Sequence, residues 1–125
     1  MTILDTHVVL WLGKDPERLL PEKVRRRLDR DTLVLSPFVS LELQFLYEAG
    51  KINAPAKAVI DELAPKLELV ISDPPSALIC EVAATLDWTR DPFDRLIAAQ
   101  AAATDTPLMT KDRTIRKNLP QAWWP

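Results

Sequence analysis

The sequence predicts an α/β fold in which helices flank a central, mostly parallel sheet of four or five strands. Strand-length apolar runs alternate with segments whose apolar residues recur at helical spacing, a pattern typical of parallel sheets. No two runs are joined by a hairpin turn, and the chain contains only two glycines in 125 residues. With 47% apolar residues the chain can build a substantial core, and residues 1–125 are expected to form a single domain.

Capping residues divide the first half of the chain into two strands and four helices. Pro21 begins a helix with proline in its first position, and Ser36 precedes another helix as an N-cap. Gly13 and Gly50 are expected to end two helices, because glycine readily adopts the left-handed conformation found at helix C-termini. The predicted elements are a strand at 2–5, helices at 6–13 and 21–30, a strand at 32–35, and helices at 37–49 and 54–65.

The second half of the chain is also divided into predicted strands and helices. Pro92 opens a long, alanine-rich helix, and the final Trp123-Trp124 pair is predicted as a short edge strand. The other predicted elements are a strand at 67–71, a helix at 75–86, a helix from 92 to about 104, a strand at 107–110 and a short helix at 112–118.

Two expectations concern burial. The lone Cys80 excludes an internal disulfide, and because it sits in an apolar helical pattern it is expected to be a small core residue. The helix at 37–49 is expected to bury a single apolar face. That face comprises Phe38, Leu41, Phe45 and Leu46.

Charge is distributed unevenly, although the net charge of −2 gives no general attraction to nucleic acid. Basic residues are concentrated at 14–30 and 111–117, around an acidic centre at 31–94. This arrangement suits a metal site that must hold a polyanion, with a solvated helical face as the alternative for 14–30. The first 13 residues carry no basic leader and no apolar run long enough to cross a membrane, so a cytoplasmic protein is expected.

Four acidic residues occupy positions where strands end or helices begin. Asp5 ends the first strand and Asp112 follows the fourth, so both should lie at the same edge of a parallel sheet, where ligands of such sheets gather. Asp94 lies in the first turn of its helix. Glu42 lies early in another helix between two leucines and is expected to point inward, where a carboxylate needs a partner.

Crowded carboxylates with no committed lysine or arginine predict a divalent cation. One histidine and one cysteine argue against zinc, whereas an all-oxygen site of carboxylates and waters suits Mg²⁺ or Mn²⁺. Thr110 and Ser40 carry hydroxyls that could hydrogen-bond a carboxylate ligand or a bound water. Such ions commonly act on phosphate esters by activating a water and neutralising developing charge.

A purely structural role is the alternative for each aspartate. Asp5, Asp91 and Asp112 all stand where an N-cap is expected, and Asp94 complements a helix dipole. Glu42 has no capping role. Other chemistries fit less well, because the chain has no glycine-rich phosphate loop and no serine in a nucleophile elbow.

Four segments in order along the chain resemble the PIN-domain ribonucleases, especially the VapC toxins of toxin–antitoxin pairs. They are residues 3–11 (ILDTHVVLW), 39–43 (VSLEL), 90–101 (RDPFDRLIAAQA) and 107–112 (PLMTKD). The resemblance implies a three-layer PIN-like fold and a metal-dependent endoribonuclease that uses a metal-activated water. It places Asp5, Glu42, Asp94 and Asp112 on the family's acidic quartet, which holds Mg²⁺ or Mn²⁺, with Asp91 as an additional acid that is either a ligand or a helix cap.

The same resemblance implies partners. These are an RNA substrate, an antitoxin protein that blocks the toxin, and a second copy of the chain in a homodimer. The basic side chains that are candidates to hold the RNA backbone are Arg25, Arg26, Arg95, Lys111 and Arg113. The helices at 37–49 and 54–65 are candidates for the antitoxin groove, with Leu43, Leu46, Tyr47 and Ile60 as its apolar residues.

Two other functions remain open at this point. One is a PIN nuclease that acts on DNA or in RNA processing, and the other is a catalytically idle α/β module that binds a partner protein.

Overall fold

The computed structural model describes residues 1–125, with five strands and eight helices in largely alternating order. The strands are β1 (Thr2–Leu4), β2 (Leu33–Leu35), β3 (Val70–Ile71), β4 (Leu108–Met109) and β5 (Ala122–Trp123). The helices are α1 (Thr6–Leu12), α2 (Pro16–Leu19), α3 (Glu22–Arg30), α4 (Pro37–Glu48), α5 (Ala56–Leu67), α6 (Ser76–Thr85), α7 (Pro92–Thr104) and α8 (Arg113–Asn118). None of these helices is both long and apolar enough to cross a membrane.

All five strands are parallel and lie in the order β3-β2-β1-β4-β5. Ile3 in the central strand is paired with Val34 of β2 on one side and with Leu108 of β4 on the other. The chain therefore leaves β1 toward one edge of the sheet and later returns to its other side. Such a switch in strand order opens a crevice at the carboxyl ends of β1 and β4.

Helices cover both faces of the sheet. Every residue of β1 and β2 is buried, as expected for central parallel strands, which read as continuous apolar runs because neither face meets water. The long helix α7 buries five consecutive residues, from Ile97 to Ala101, so it is enclosed on most sides. Its alanines permit close packing, and α7 packs chiefly against α6 and α4.

The predicted elements were wrong in two places. The segment left without structure between the predicted helices at 6–13 and 21–30 contains the four-residue helix α2, which begins at Pro16 and is capped by Asp15 through a hydrogen bond from the Arg18 N–H. The helix predicted at 54–65 runs through Pro65 to Leu67 and ends at Glu68 in the left-handed conformation, so β3 begins at 70 and not at 67. A proline near the C-terminus of a helix removes a single backbone hydrogen bond and does not have to end it.

The predicted burial of three side chains was also wrong. The inward face of α4 is formed by Val39 and Leu43, whereas Leu41 is 58% exposed and Phe45 is 55% exposed. Apolar residues occur on nearly every side of α4, so their spacing does not identify the buried face. Cys80 is exposed because the neighbouring Ile79 faces the core from α6.

Candidate active site

The four predicted acids line one cavity of about 150 Å³ at the carboxyl ends of β1 and β4. Asp5 directly follows β1 and Asp112 follows β4. The second turn of α4 and the first turn of α7 bring Glu42 and Asp94 toward the same point. The complete lining consists of Asp5, Thr6, His7, Leu10, Glu42, Leu46, Asp94 and Asp112.

Asp5 is held in place by three neighbours. It is only 3% exposed, and it caps α1 by accepting a hydrogen bond from the Thr6 N–H at 2.8 Å. Its other carboxylate oxygen accepts a hydrogen bond from the Thr110 hydroxyl at 2.6 Å and lies 3.5 Å from Nδ1 of His7. A buried carboxylate with these donors is fixed in one orientation, with its charge directed at the cavity.

Thr110 connects the two strand-end acids. Its hydroxyl donates to Asp5 and accepts a hydrogen bond from the Asp112 N–H at 3.1 Å. Asp112 in turn caps α8 by accepting from the Ile115 N–H at 2.9 Å. The end of β4 is thereby fixed relative to the end of β1, which sets the separation of their carboxylates.

Ser40 forms no hydrogen bond to the acids. Its hydroxyl donates to the carbonyl of Ser36, one turn earlier, at 3.4 Å. The hydroxyl that does reach Glu42 is that of Thr6, which donates a short hydrogen bond to Oε1. Thr6 was missed because the two residues are 36 positions apart and on different helices; only its place in the first turn after Asp5 hinted at it.

A second grouping brings Asp91 into the site. Oxygen atoms of Glu42, Asp91 and Asp94 all lie within 4.8 Å of one another, a spacing at which three ligands can hold one ion. Asp91 also caps α7 by accepting from the N–H groups of Phe93 and Asp94, at 2.9 and 3.0 Å. Asp91 therefore caps α7 and at the same time lies close to Glu42 and Asp94.

The acids raise one another's proton affinity. Burial, together with the charges of Asp91, Asp5, Glu42 and Asp112, raises the pKa of Asp94 to about 7. Burial also raises the pKa of Glu42, with the charges of Asp5 and Asp91 adding to the effect and the Thr6 hydroxyl opposing it.

No lysine or arginine forms an ion pair with any of these acids. An all-oxygen donor set with uncompensated charge, facing a cavity with room for an ion and several waters, fits Mg²⁺ or Mn²⁺.

His7 is a further residue of the site that the sequence did not single out. Its Nε2 accepts a hydrogen bond from the Lys111 N–H at 3.0 Å, so Nδ1 carries the proton and faces Asp5. Burial lowers the pKa of His7, although the charges of Asp5 and Asp112 act in the opposite direction. A usable signal was its position two residues after Asp5, in the first turn of α1.

The five predicted basic residues do not line this cavity. Arg26 pairs with Glu22 on its own helix at 2.6 Å, and Arg95 donates from Nε to the carbonyl of Thr89 at 2.6 Å. Arg25 lies half-buried on α3, which ends at the opposite edge of the sheet. Lys111 and Arg113 flank Asp112 and are exposed, whereas Arg95, which adjoins Asp94, directs its guanidinium to Thr89.

The chain resembles known proteins both in sequence and in fold. The family model described as the PIN domain matches residues 2–118. Over 118 residues the chain is 31% identical to Ribonuclease VapC22 of Mycobacterium tuberculosis, a match that covers 93% of this chain and 90% of the relative.

Solved structures share the architecture. The chain superposes with a TM-score of 0.69 on VapBC2 from Rickettsia felis bound to a DNA fragment from its promoter, at 19% identity over 97% of this chain and 94% of that one. The TM-score is 0.67 for DNA-bound VapBC from Salmonella typhimurium, at 25% identity over 97% and 93% of the two chains. It is also 0.67 for VapBC-1 from nontypeable Haemophilus influenzae, at 22% identity over 99% and 96%.

Proposed function

This chain belongs to the PIN-domain family, and from that premise we propose that it is a metal-dependent endoribonuclease of the VapC type, the toxin of a toxin–antitoxin pair. The observation that carries the proposal is the convergence of four carboxylates in one cavity at the switch point of the sheet. Its similarity to a ribonuclease of similar length supports RNA as the substrate. Residues 1–125 are taken as one such domain, acting in the cytoplasm.

We assign the metal to the carboxylates of the cavity. Asp5, Asp94 and Asp112 are the main ligands, and Glu42 is a ligand or the group that orients the attacking water. Asp91 is a further candidate ligand through its nearness to Glu42 and Asp94. Bound there, Mg²⁺ or Mn²⁺ would lower the pKa of a water and offset charge that develops on the phosphate.

The remaining residues of the site position these groups. Thr110 fixes Asp5 and Asp112 relative to each other, and Thr6 holds one oxygen of Glu42. His7, through its Nδ1–H, keeps the Asp5 carboxylate facing the cavity. Lys111 and Arg113 are the basic residues closest to Asp112 and are assigned to the RNA backbone ahead of Arg25, Arg26 and Arg95.

An antitoxin segment fits the groove beside the active site. A cavity of about 520 Å³ lies between α1, the 51–54 segment and α5, and Leu10 lines both this groove and the acidic cavity. Leu43, assigned to this surface from the sequence, is fully buried and cannot take part. The apolar residues of the groove are Leu10, Trp11, Ile52, Ala54, Ala58, Val59 and Leu63.

This groove ends where a partner could reach the acids. A guanidinium placed among them would compensate their charge in place of the metal, because it pairs readily with carboxylates. A homodimer would use another surface, for which the exposed Leu41 and Phe45 of α4 are candidates.

Cleavage of RNA by the purified chain tests the activity. Total cellular RNA is incubated with wild type, Asp5→Asn and Asp87→Asn in Mg²⁺ and in chelator, and the cut ends are mapped. Asp87 is exposed and lies outside the cavity, so its variant controls for the loss of one charge. We expect cleavage by wild type and by Asp87→Asn only in the presence of Mg²⁺, and none by Asp5→Asn.

Growth assays test the toxin assignment separately. Expression of the chain alone should arrest bacterial growth, and co-expression of its antitoxin should restore growth. A chain that is harmless in cells but cuts RNA in Mg²⁺ would be an RNA-processing nuclease and not a toxin. A chain that cuts no RNA or DNA would be an idle binding module.

A further inference from the structure

A second cavity, of about 280 Å³, opens beside the acidic cavity and is lined by His7, Trp11, Lys111 and Asp112. It shares His7 and Asp112 with the acidic cavity, so the two are continuous along the surface. Three of its four lining residues are charged or polar, and the fourth is a half-buried tryptophan.

Trp11 provides a fixed aromatic surface in this cavity. The centre of its ring lies 4.9 Å from the centre of the His7 ring, with an angle of 57° between the two planes. Trp11 and Trp124 pack edge to face, with 6.1 Å between their ring centres. His7 is itself fixed by the Lys111 N–H and by Asp5. Neither ring has to be ordered on binding, so a flat ligand would meet a preformed platform.

The cationic side chain of Lys111 lies next to this aromatic surface. Nζ of Lys111 lies 5.8 Å from the centre of the Trp11 ring, and the lysine is exposed. An exposed cation–π contact of this length is weak and easily displaced. When a flat group covers the ring, the flexible Lys111 side chain is free to turn toward an anion on that group.

We propose that Trp11 stacks one unpaired nucleobase directly beside the phosphate that is cut, with the inclined His7 ring next to that base, and that Lys111 contacts the phosphate on the same side of the base. The inference rests on the proposed nuclease function. An aromatic surface next to a cation matches the two parts of a nucleotide, a base with a π-face and a phosphate. Bases within a duplex are not available for such stacking, so the substrate is single-stranded or looped RNA at the cut.

A peptide is a poorer match to this cavity. An apolar side chain over Trp11 would cover His7, Lys111 and Asp112 without satisfying their polar groups. The apolar groove that Trp11 also lines is the surface suited to a peptide. Trp11 therefore separates the two surfaces, with the groove on one side and the proposed base platform on the other.

Binding of short single-stranded RNAs to Trp11 variants tests the platform. Trp11→Leu keeps an apolar side chain for the groove but removes the π-face, whereas Trp11→Phe keeps an aromatic ring. Trp88→Leu is the control, because Trp88 lines neither cavity. All are measured in the Asp94→Asn background, in which we expect the RNA to stay intact, with a labelled RNA that spans the mapped cut or, without one, a mixed-sequence single strand.

We expect Trp11→Leu to weaken binding about 5- to 150-fold, which is the range for loss of one base–aromatic stack. Trp11→Phe should retain most of the affinity, and Trp88→Leu should match its parent. A series of RNAs with one abasic nucleotide at each position localises the effect. Loss of one base next to the cut should weaken binding to the parent protein but not to Trp11→Leu.

Each other result has a defined meaning. If no abasic position affects the parent protein, or if Trp11→Leu retains full affinity, the platform is refuted even when RNA is still cut. If Trp11→Leu weakens only antitoxin binding, the surface belongs to the peptide and the inference fails. If base-dependent binding occurs but the wild-type chain cuts no RNA, the platform stands and the proposed nuclease function fails.

Discussion

Asp94 shows the conflict between stability and function most clearly at the scale of single residues. Its carboxylate faces four other acids, none of which is paired with a lysine or arginine, and its pKa is raised to about 7 as a result of burial and these charges. The same crowding makes the site attractive to a divalent cation. Without a cation the folded protein therefore carries an electrostatic cost, which the proposed metal site would require for its function.

Asp94→Asn should stabilise the metal-free protein and abolish cleavage. Removal of the charge relieves repulsion while the amide keeps nearly the same shape, and we expect a gain of about 1–2 kcal/mol after allowance for solvent screening. The measurement is thermal unfolding in chelator, with Asp87→Asn as the control, which should unfold like wild type. An Asp94→Asn protein that melts lower than wild type in chelator would contradict the electrostatic explanation.

The pH dependence of metal-free stability follows from the same residue. The folded protein keeps a proton on Asp94 up to a pKa of about 7, whereas the unfolded chain loses it near pH 4. The folded state thus binds more protons in this interval, so the contribution of Asp94 to stability falls as the pH rises from about 4 to 7. In urea unfolding in chelator, wild type should lose stability relative to Asp94→Asn across this interval; parallel curves would disprove the assignment.

Asp31 is an acid of the opposite kind. It accepts hydrogen bonds from the Thr2 hydroxyl at 2.6 Å and from Nε of Arg27 and of Arg30, both at 2.9 Å. Burial acts against ionisation, but these donors hold the pKa of Asp31 well below its usual range. The group ties the end of α3 to the start of β1, at the opposite edge of the sheet from the active site.

Asp31→Asn should destabilise the protein by about 2–3 kcal/mol at neutral pH, because the charge-assisted hydrogen bonds are lost. A lowered pKa in the folded state means that this contribution is present above the unfolded pKa and is lost as the pH falls. Asp29→Asn, an exposed acid with no hydrogen-bond partner, is the matched control in urea unfolding. Equal midpoints for the two variants at pH 7 would refute this role.

At the scale of elements, the sequence predicted the five strands and most helices because short apolar runs and N-caps are local signals. Ser36 and Asp91 cap the helices they were expected to cap. The four-residue helix α2 was missed although Asp15 and Pro16 are a local start signal of the same kind. The exposure of Leu41 was not predictable in this way. It depends on which side of α4 meets the sheet, and the sequence of α4, apolar almost all round, does not record it.

Gly13 and Gly50 were expected to end helices in the same way, but their backbones differ. Gly13 has φ −81°, a conformation open to any residue, whereas Gly50 has φ +73° in the left-handed region. A Cβ added at Gly13 would lie 3.6 Å from Cδ1 of Leu63, an ordinary van der Waals contact. Only Gly50 therefore needs the conformational freedom of glycine.

Gly13→Ala and Gly50→Ala should change stability in opposite directions. Alanine at 13 fits the native backbone and restricts the unfolded chain, so a gain of about 0.4–1 kcal/mol is expected. Alanine at 50 must adopt a left-handed conformation, so a loss of about 1–2 kcal/mol is expected. Urea unfolding of the two variants beside wild type measures both effects, and shifts of the same sign would contradict the backbone assignment.

For the whole molecule, the location of the site was predictable while its fine geometry was not. Parallel strands bring their carboxyl ends to one edge, so the convergence of Asp5 and Asp112 could be deduced from two strand ends. The hydrogen bond from Thr6 to Glu42 and the nearness of Asp91 to Asp94 and Glu42 arise from how α1, α4 and α7 pack together. Packing of this kind depends on residues that are far apart in the sequence, so no local sequence pattern predicts it.

Metal binding should therefore couple the site to the stability of the entire chain. An ion that binds only the folded protein, at ten times its dissociation constant, stabilises it by about 1.4 kcal/mol. Mg²⁺ and Mn²⁺ should both raise the melting temperature of wild type. The rise should be larger at pH 8 than at pH 6, because protons compete with the ion for Asp94, whose pKa is about 7.

The comparison is made at equal ionic strength with NaCl, since salt alone also screens the repulsion between the acids. Asp87→Asn should respond to Mg²⁺ as wild type does, while Asp94→Asn should begin from a higher melting temperature in chelator and gain much less from the ion. If Mg²⁺ stabilises Asp94→Asn as much as wild type, the ion binds elsewhere and the carboxylate cavity is not the metal site. If Mg²⁺ raises the melting temperature of Asp94→Asn only slightly at both pH values, while the other proteins respond fully, the ion binds at the acidic cluster and stabilises the fold from there.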